Sequence, residues 1–127
     1  MAILVNKIKC LSCGEVLISI HRQDFQQCNC ENKTHADGGI DYLKRGGKDL
    51  SLIEEQSVYD TDSIEKIREA VVRGSVGKRG NEKLTYVLLK DIDDEWLENI
   101  ITYEETHRPQ NPFIDIYKRE QEYRKTL

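Results

Sequence analysis

The chain has 127 residues, 19 basic against 23 acidic and 38% apolar, which bounds it to one domain or two very small ones. A net charge of −4 gives neither the basic field that gathers nucleic acid nor an acidity strong enough to imitate it. No stretch approaches the ~20 apolar residues needed to span a bilayer. The N-terminal "MAILVNKIK" lacks a charged n-region ahead of a long apolar core, so no secretory leader and no membrane partner is expected. The expected location is the cytoplasm, where thiols stay reduced.

"KCLSCGEVLISIHRQDFQQCNCE", Lys9 to Glu31, holds all four cysteines of the chain. Cys10 and Cys13 are two residues apart, Cys28 and Cys30 one. In a reducing compartment that pattern reads as four thiolates around one metal ion. Gly14 follows Cys13 where a tight knuckle needs positive φ, and "EVLIS" supplies a strand between the pairs. A redox-active Cys-x-x-Cys should open a helix after a buried strand; here a glycine and a strand follow, and a second pair waits. Two disulfides or an iron–sulfur cluster are the other rivals. The expectation is a zinc ribbon with one structural Zn²⁺ on Cys10, Cys13, Cys28 and Cys30, a closed site with no position open for water or substrate. His21 and His35 are expected at the surface.

Past the second pair, "ADGG" is a turn signal, "IDYLKR" reads as a strand closing the ribbon, and Gly46-Gly47 ends it. "DLSLIEEQSVYD" is ambiguous, a linker or an edge strand around Glu55–Tyr59. The expected division is a zinc ribbon over 1–50, a linker or edge strand over 51–61, and an α+β subdomain over 62–127.

In that second part, Asp62 with Glu65 forms a capping-box pattern for "DSIEKIREAVVRG", with Ile64, Ile67 and Val71 on one face and Gly74 as the stop. "SVGKRGNEK" is a glycine-punctuated loop, and "LTYVLLK" a strand buried on at least one face. Asp93 caps a helix with Asp94 and Glu95 in its first turn, and Trp96, Ile100 and Tyr103, flanked by Leu97 and Ile101, form its apolar stripe. Pro109 breaks the chain. Asn111 and Pro112 start a last helix whose inner face carries Phe113, Ile116, Tyr117 and Tyr123. A connection this short makes the two helices an antiparallel hairpin. The fold class is therefore α+β, an N-terminal zinc-ribbon β-subdomain followed by a small helix–strand–helix–helix subdomain.

Three features invite sharper claims. Arg73, Lys78, Arg79 and Lys83 lie among Gly74, Gly77 and Gly80, but the spacing departs from the Walker pattern, so a plain connector is preferred over an anion-binding loop. "EETH", Glu104 to His107, has no second histidine nearby and reads as a solvated face, not a metal site. "YKREQEYRK" mixes Lys118, Arg119, Arg124 and Lys125 with Glu120 and Glu122, again as on a solvated helix. No nucleophile, base and oxyanion donor converge, so no enzyme activity and no catalytic residues are expected.

Residues 7–45, "KIKCLSCGEVLIS…DFQQCNC…DGGIDYLKR", resemble a small zinc-ribbon family found largely in phages and prophages. Glu31 departs from that pattern, which has glycine after the second knuckle. Residues 73–124 resemble a second phage-associated segment with a glycine-rich hairpin and a helical pair around Arg-Pro. The resemblance implies a non-catalytic phage accessory protein in the host cytoplasm. It would bind a host or phage macromolecule, with a protein partner leading and inhibition of a host defence system as one role. A nucleic-acid-binding regulator and a sponge for a nucleotide signal are the alternatives. Oligomeric state is not legible.

Overall fold

Apolar and β-branched residues concentrate at the start of the chain, and Ile3–Cys10 forms the longest strand, β1. This is a computed structural model, which describes residues 2–76 and 79–127. The architecture is α+β. The chain divides into two compact units, Met1–Tyr59 and Asp60–Leu127.

In the first unit β1 pairs antiparallel with Val16–Ser19 (β2), with Ile53–Glu55 (β6) and, past a register shift, with Val58–Tyr59 (β7). A second antiparallel sheet orders Gln26–Gln27 (β3), His35–Asp37 (β4) and Lys44–Gly46 (β5). The ribbon's closing strand thus starts later than "IDYLKR" suggests. Gly38 and Gly39 at positive φ set the turn, and the Tyr42 amide bonds back to the Gly38 carbonyl, so pairing resumes only at Lys44. One apolar cluster here is Ile8, Leu17 and Ala36, with Ile53 against them, and Leu4, Val5 and Val58 are buried as well.

Polar groups take up part of the work. Asn6 is completely buried; its amide donates to the Asp37 and Gly39 carbonyls at 3.1 and 2.9 Å and accepts from Arg45 Nε at 2.9 Å. Arg45 also pairs with Glu55 and donates to Ser57 Oγ at 2.6 Å. Burial alone would raise the Glu55 carboxyl, but Arg45 and Ser57 hold it down at about 2. β1, β5 and the β6–β7 segment are thereby tied through one guanidinium.

The second unit starts with a short helix, Ile64–Arg68 (α1), capped by Ser63, not Asp62: the Ser63 hydroxyl accepts from the Lys66 amide. Gly74 does not stop this helix. The β-branched pair Val71-Val72 ends it earlier by favouring extended backbone, and Gly74 lies inside Val72–Ser75 (β8), paired with Thr85–Leu88 (β9). Thr85 and Tyr86 of β9 are exposed and Val87 and Leu88 partly covered, short of the expected buried strand; Leu89, in the turn that follows, is the buried residue.

Asp94–His107 (α2) is capped as expected, Asp93 Oδ1 accepting from the Trp96 amide at 2.7 Å. Its buried stripe is Leu97, Ile100, Ile101 and Glu104, one position round from the expected one; Trp96 is partly buried and Tyr103 exposed. Phe113–Arg124 (α3) buries Ile114, Ile116, Tyr117 and Glu120, while Phe113 and Tyr123 are only partly covered. Asn111 Oδ1 caps its start through the Phe113 amide. The contacts Lys118–Glu105, Gln121–Glu98 and Arg124–Asp94 run in opposite order along the two helices, which makes the hairpin antiparallel.

Two buried carboxylates, both read from sequence as solvated, anchor this unit. Glu120 is fully buried between Arg68 on α1 and Arg124 on α3, at 2.9 and 2.7 Å. Glu104 is met by Arg73 from β8 at 3.3 Å and by the Asn111 amide at 3.0 Å. Arg119 closes the set by donating to the Asp60 and Asp62 carbonyls. A charge removed from water persists only when its partners are arranged around it; here Arg68 and Arg73 come from preceding elements, and Arg124 and Asn111 from the helical hairpin itself.

Candidate metal centre

Two tight loops bring the cysteines together. The first runs from the end of β1 to the start of β2 and is closed by the Cys10 amide donating to the Glu15 carbonyl at 2.9 Å. The second joins β3 to β4 and is closed by the Cys28 amide donating to the Thr34 carbonyl at 3.0 Å. Each loop has one left-handed residue directly before its closing residue: Gly14 at φ 80° and Lys33 at φ 50°. Glu31, the departure from the resembled pattern, therefore does not fall where positive φ is needed. The left-handed position of the second loop is two residues further on, at Lys33.

All four sulfurs lie within 4.8 Å of one another, with Cys28–Cys30 at 3.3 Å and Cys10–Cys30 at 3.6 Å. These separations are far beyond a disulfide's ~2.05 Å, and the four cysteines are free thiols. They bracket the ~3.8 Å at which four sulfurs sit around an ion held at ~2.3 Å. The set can hold a metal ion.

The surroundings favour thiolates. Cys10 and Cys28 are buried, Cys30 is partly covered and Cys13 faces solvent. The Thr34 hydroxyl donates to Cys10 Sγ at 3.1 Å, and the Ser12 and Cys13 amides also reach that sulfur. Thr34, helped by those amides, outweighs burial and brings the Cys10 thiol down to about 6. Cys30 is lowered too, first by Cys28 and then by the Asn32 amide, against burial. Cys13 moves the other way: the Glu15 amide favours its thiolate, but local desolvation of the sulfur, although the residue is exposed, and the sulfurs of Cys10, Cys30 and Cys28 raise it to about 12. Crowded like charges split in this way because the first ionisation opposes the last. A divalent cation among them removes that opposition.

The residues around the ligands carry no sequence signal of their own. Asn32 and Thr34, both buried, stand behind the second pair. Asn32 Nδ2 donates to Thr34 Oγ1 at 2.7 Å, and Asn32 Oδ1 accepts from the Asp49 amide at 2.7 Å. The chain Cys10–Thr34–Asn32–Asp49 thus fixes one ligand against the segment leading into β6. Only position hints at it: both residues lie within four of Cys30.

The other candidates separate cleanly. His21 is exposed, and His35 stacks on Phe25 at 5.4 Å; neither joins the sulfur cluster. Of the basic loop, Arg73 is on β8 and holds Glu104, Arg79 and Lys83 are exposed, and Gly77 and Lys78 lie outside the described residues. His107 caps its own helix turn on the Tyr103 carbonyl.

A family model described as a domain of unknown function (DUF7695) matches residues 2–47. The match takes in β1 to β5 and all four cysteines and stops short of β6 and β7. No curated protein and no solved structure gives a match.

Proposed function

We propose that this chain is a zinc-stabilised, non-catalytic phage accessory protein that binds a host or phage macromolecule. The observation that supports it is the closed set of four sulfurs on two hairpin loops. Four thiolates complete a tetrahedral Zn²⁺ shell, so the ion cross-links β1, β2, β3 and β4 and leaves no position for water or substrate. A unit of about sixty residues with few buried apolar side chains, Leu4, Val5, Ile8, Leu17, Ala36 and Val58 among them, belongs to the size range in which a metal supplies much of the folding free energy.

The test is stoichiometry followed by removal. Purified protein should carry one Zn²⁺ per chain, and a strong chelator should abolish the protection of amides in β1 to β5 while α2 and α3 stay helical. A metal-free protein with the same fold and four titratable thiols would overturn the reading. The resemblance favours a protein partner. One observation, a pair of cations on an exposed tyrosine with no ion-pair partner among the described residues, favours nucleic acid instead.

A further inference from the structure

The sheet β3-β4-β5 has two unlike faces. The register pairs Gln26 with Ala36 and Ala36 with Arg45. The inner part of that row points inward, Ala36 fully buried and Arg45 reaching Asn6, while Gln26 at the sheet edge is exposed. The alternate row, Gln27, His35 and Gly46, points outward, with Lys44 and Asp37 beside it. Phe25, just before β3, and Tyr42, just before β5, are 54% and 51% exposed.

Both rings are held in place. Phe25 stacks on His35 at 5.4 Å, the rings 27° apart. His35 lies flat across β5 because position 46 is glycine; a Cβ there would stand 2.6 Å from the imidazole. Tyr42 carries two cations on its ring, Lys44 Nζ at 4.4 Å and the Arg22 guanidinium at 5.3 Å. Neither cation has an ion-pair partner among the described residues. Of the acids close by, Asp37 gives one carboxylate oxygen to the Gly38 amide, Asp24 accepts from the Ile20 amide and Gln26, and Asp41 is exposed.

A half-exposed ring fixed by His35 and a second exposed ring carrying two cations complement a ligand that is flat and polyanionic. We infer that the outer face of β3-β4-β5 binds single-stranded nucleic acid, with bases stacking on Phe25 and Tyr42 and phosphates meeting Arg22 and Lys44. Base–aromatic stacking and cationic tracking of the backbone are how single strands are held without sequence readout. Phe25 enters β3 and Lys44 opens β5, two strand spacings apart, about 10 Å, enough for a short run of nucleotides. A duplex hides its base faces and is excluded. An apolar protein surface would leave Arg22 and Lys44 without counter-charges. This inference rests on the binding-module reading and supplies its ligand.

The test uses the full zinc-loaded chain and fluorescence anisotropy with short labelled oligothymidine, oligouridine and a duplex. Single strands should bind in the ~1–100 µM range of sequence-independent contact, and the stronger of the two single-strand arms identifies DNA or RNA as the source. Phe25→Ala and Tyr42→Ala should each weaken binding at least about fivefold, the lower end of one lost base stack. Two phosphate contacts give a log–log salt slope of about −1.4 for a single strand, which Arg22→Ala/Lys44→Ala should bring towards zero. Equal or tighter duplex binding, or binding unchanged in these variants, overturns the inference. So does a zinc-replete, folded protein that binds no single strand, which leaves the metal reading standing; a folded protein without zinc overturns the metal reading instead.

Discussion

Thr34→Val removes one oxygen beside the sulfur cluster and little else. Thr34 is fully buried, so the nearly isosteric valine keeps the packing and deletes the hydroxyl. That hydroxyl donates to Cys10 Sγ at 3.1 Å and accepts from Asn32 Nδ2 at 2.7 Å. A hydrogen bond to a charged group contributes about 1.5–3 kcal/mol, or roughly ten- to a hundredfold in affinity. Outer-shell partners of metal ligands span the same range, so zinc affinity should fall by about that factor. Competition with a chromophoric chelator at neutral pH measures it. Asn32 Nδ2 retains the Asp49 carbonyl at 3.3 Å, which limits the folding cost, and Thr34→Ser should restore most of the affinity. A Thr34→Val protein that holds zinc within about twofold of the parent would show that the outer shell does not tune this centre.

Three further outcomes concern the second unit. Glu120→Ala leaves Arg68 and Arg124 facing each other without their shared carboxylate and should cost about 3–5 kcal/mol in urea unfolding, whereas Arg68→Met/Glu120→Met should recover most of it; equal losses in both would refute the pairing argument. Burial would raise the Glu104 carboxyl, but Asn111, Arg108 and Arg73 lower it. Its folded value is thus below the unfolded ~4.3, its contribution is complete above that pH and lost as pH falls through the folded value, and Glu104→Gln should flatten the acid limb of helix melting. Leu97→Ala should cost about 2–5 kcal/mol and exceed Trp96→Ala, since Leu97 is 1% exposed and Trp96 only partly covered; the reverse order by calorimetry would restore Trp96 as the core anchor.

What the sequence revealed and what it hid follow from locality. The cysteine pairs, the Gly14 knuckle and the Asp93 cap are decided within a few residues, so their spacing carries them directly. The apolar stripe of α2 came out one position off because its fourth core position is Glu104, and a glutamate is ordinarily counted as solvent-facing. The same holds for Glu120 inside "YKREQEYRK". Each becomes a core residue only when an arginine from a distant element, Arg73 or Arg68, closes on it, and no window of sequence contains both partners. The β3-β4-β5 face was hidden for a related reason. Phe25, Tyr42 and Lys44 are unremarkable in sequence, and their roles come from contacts across the fold: the stack of Phe25 on His35 and the cations of Arg22 and Lys44 on the Tyr42 ring.

The metal centre and the aromatic face are mechanically one feature. Cys28 directly follows Gln27, the last residue of β3, and His35, the first of β4, directly follows Thr34, whose hydroxyl reaches Cys10. The loop carrying two of the ligands is therefore the hairpin that sets β3 against β4, and with it the stack of Phe25 on His35. Tyr42 and Lys44 depend on β5 keeping its register with β4. Without the ion, the crowded sulfurs oppose each other's ionisation, and only Ala36 of β3 to β5 joins the apolar cluster beneath, which leaves that hairpin weakly supported. Chelation should accordingly abolish oligothymidine binding in step with the loss of β3–β4 amide protection, and added Zn²⁺ should restore both. The ligand in turn should slow zinc loss to a chelator, because anything that binds only the folded face stabilises the fold holding the ion. Oligothymidine bound with unchanged affinity after complete zinc removal would place the binding surface elsewhere, the exposed Arg79–Lys83 segment being the next candidate.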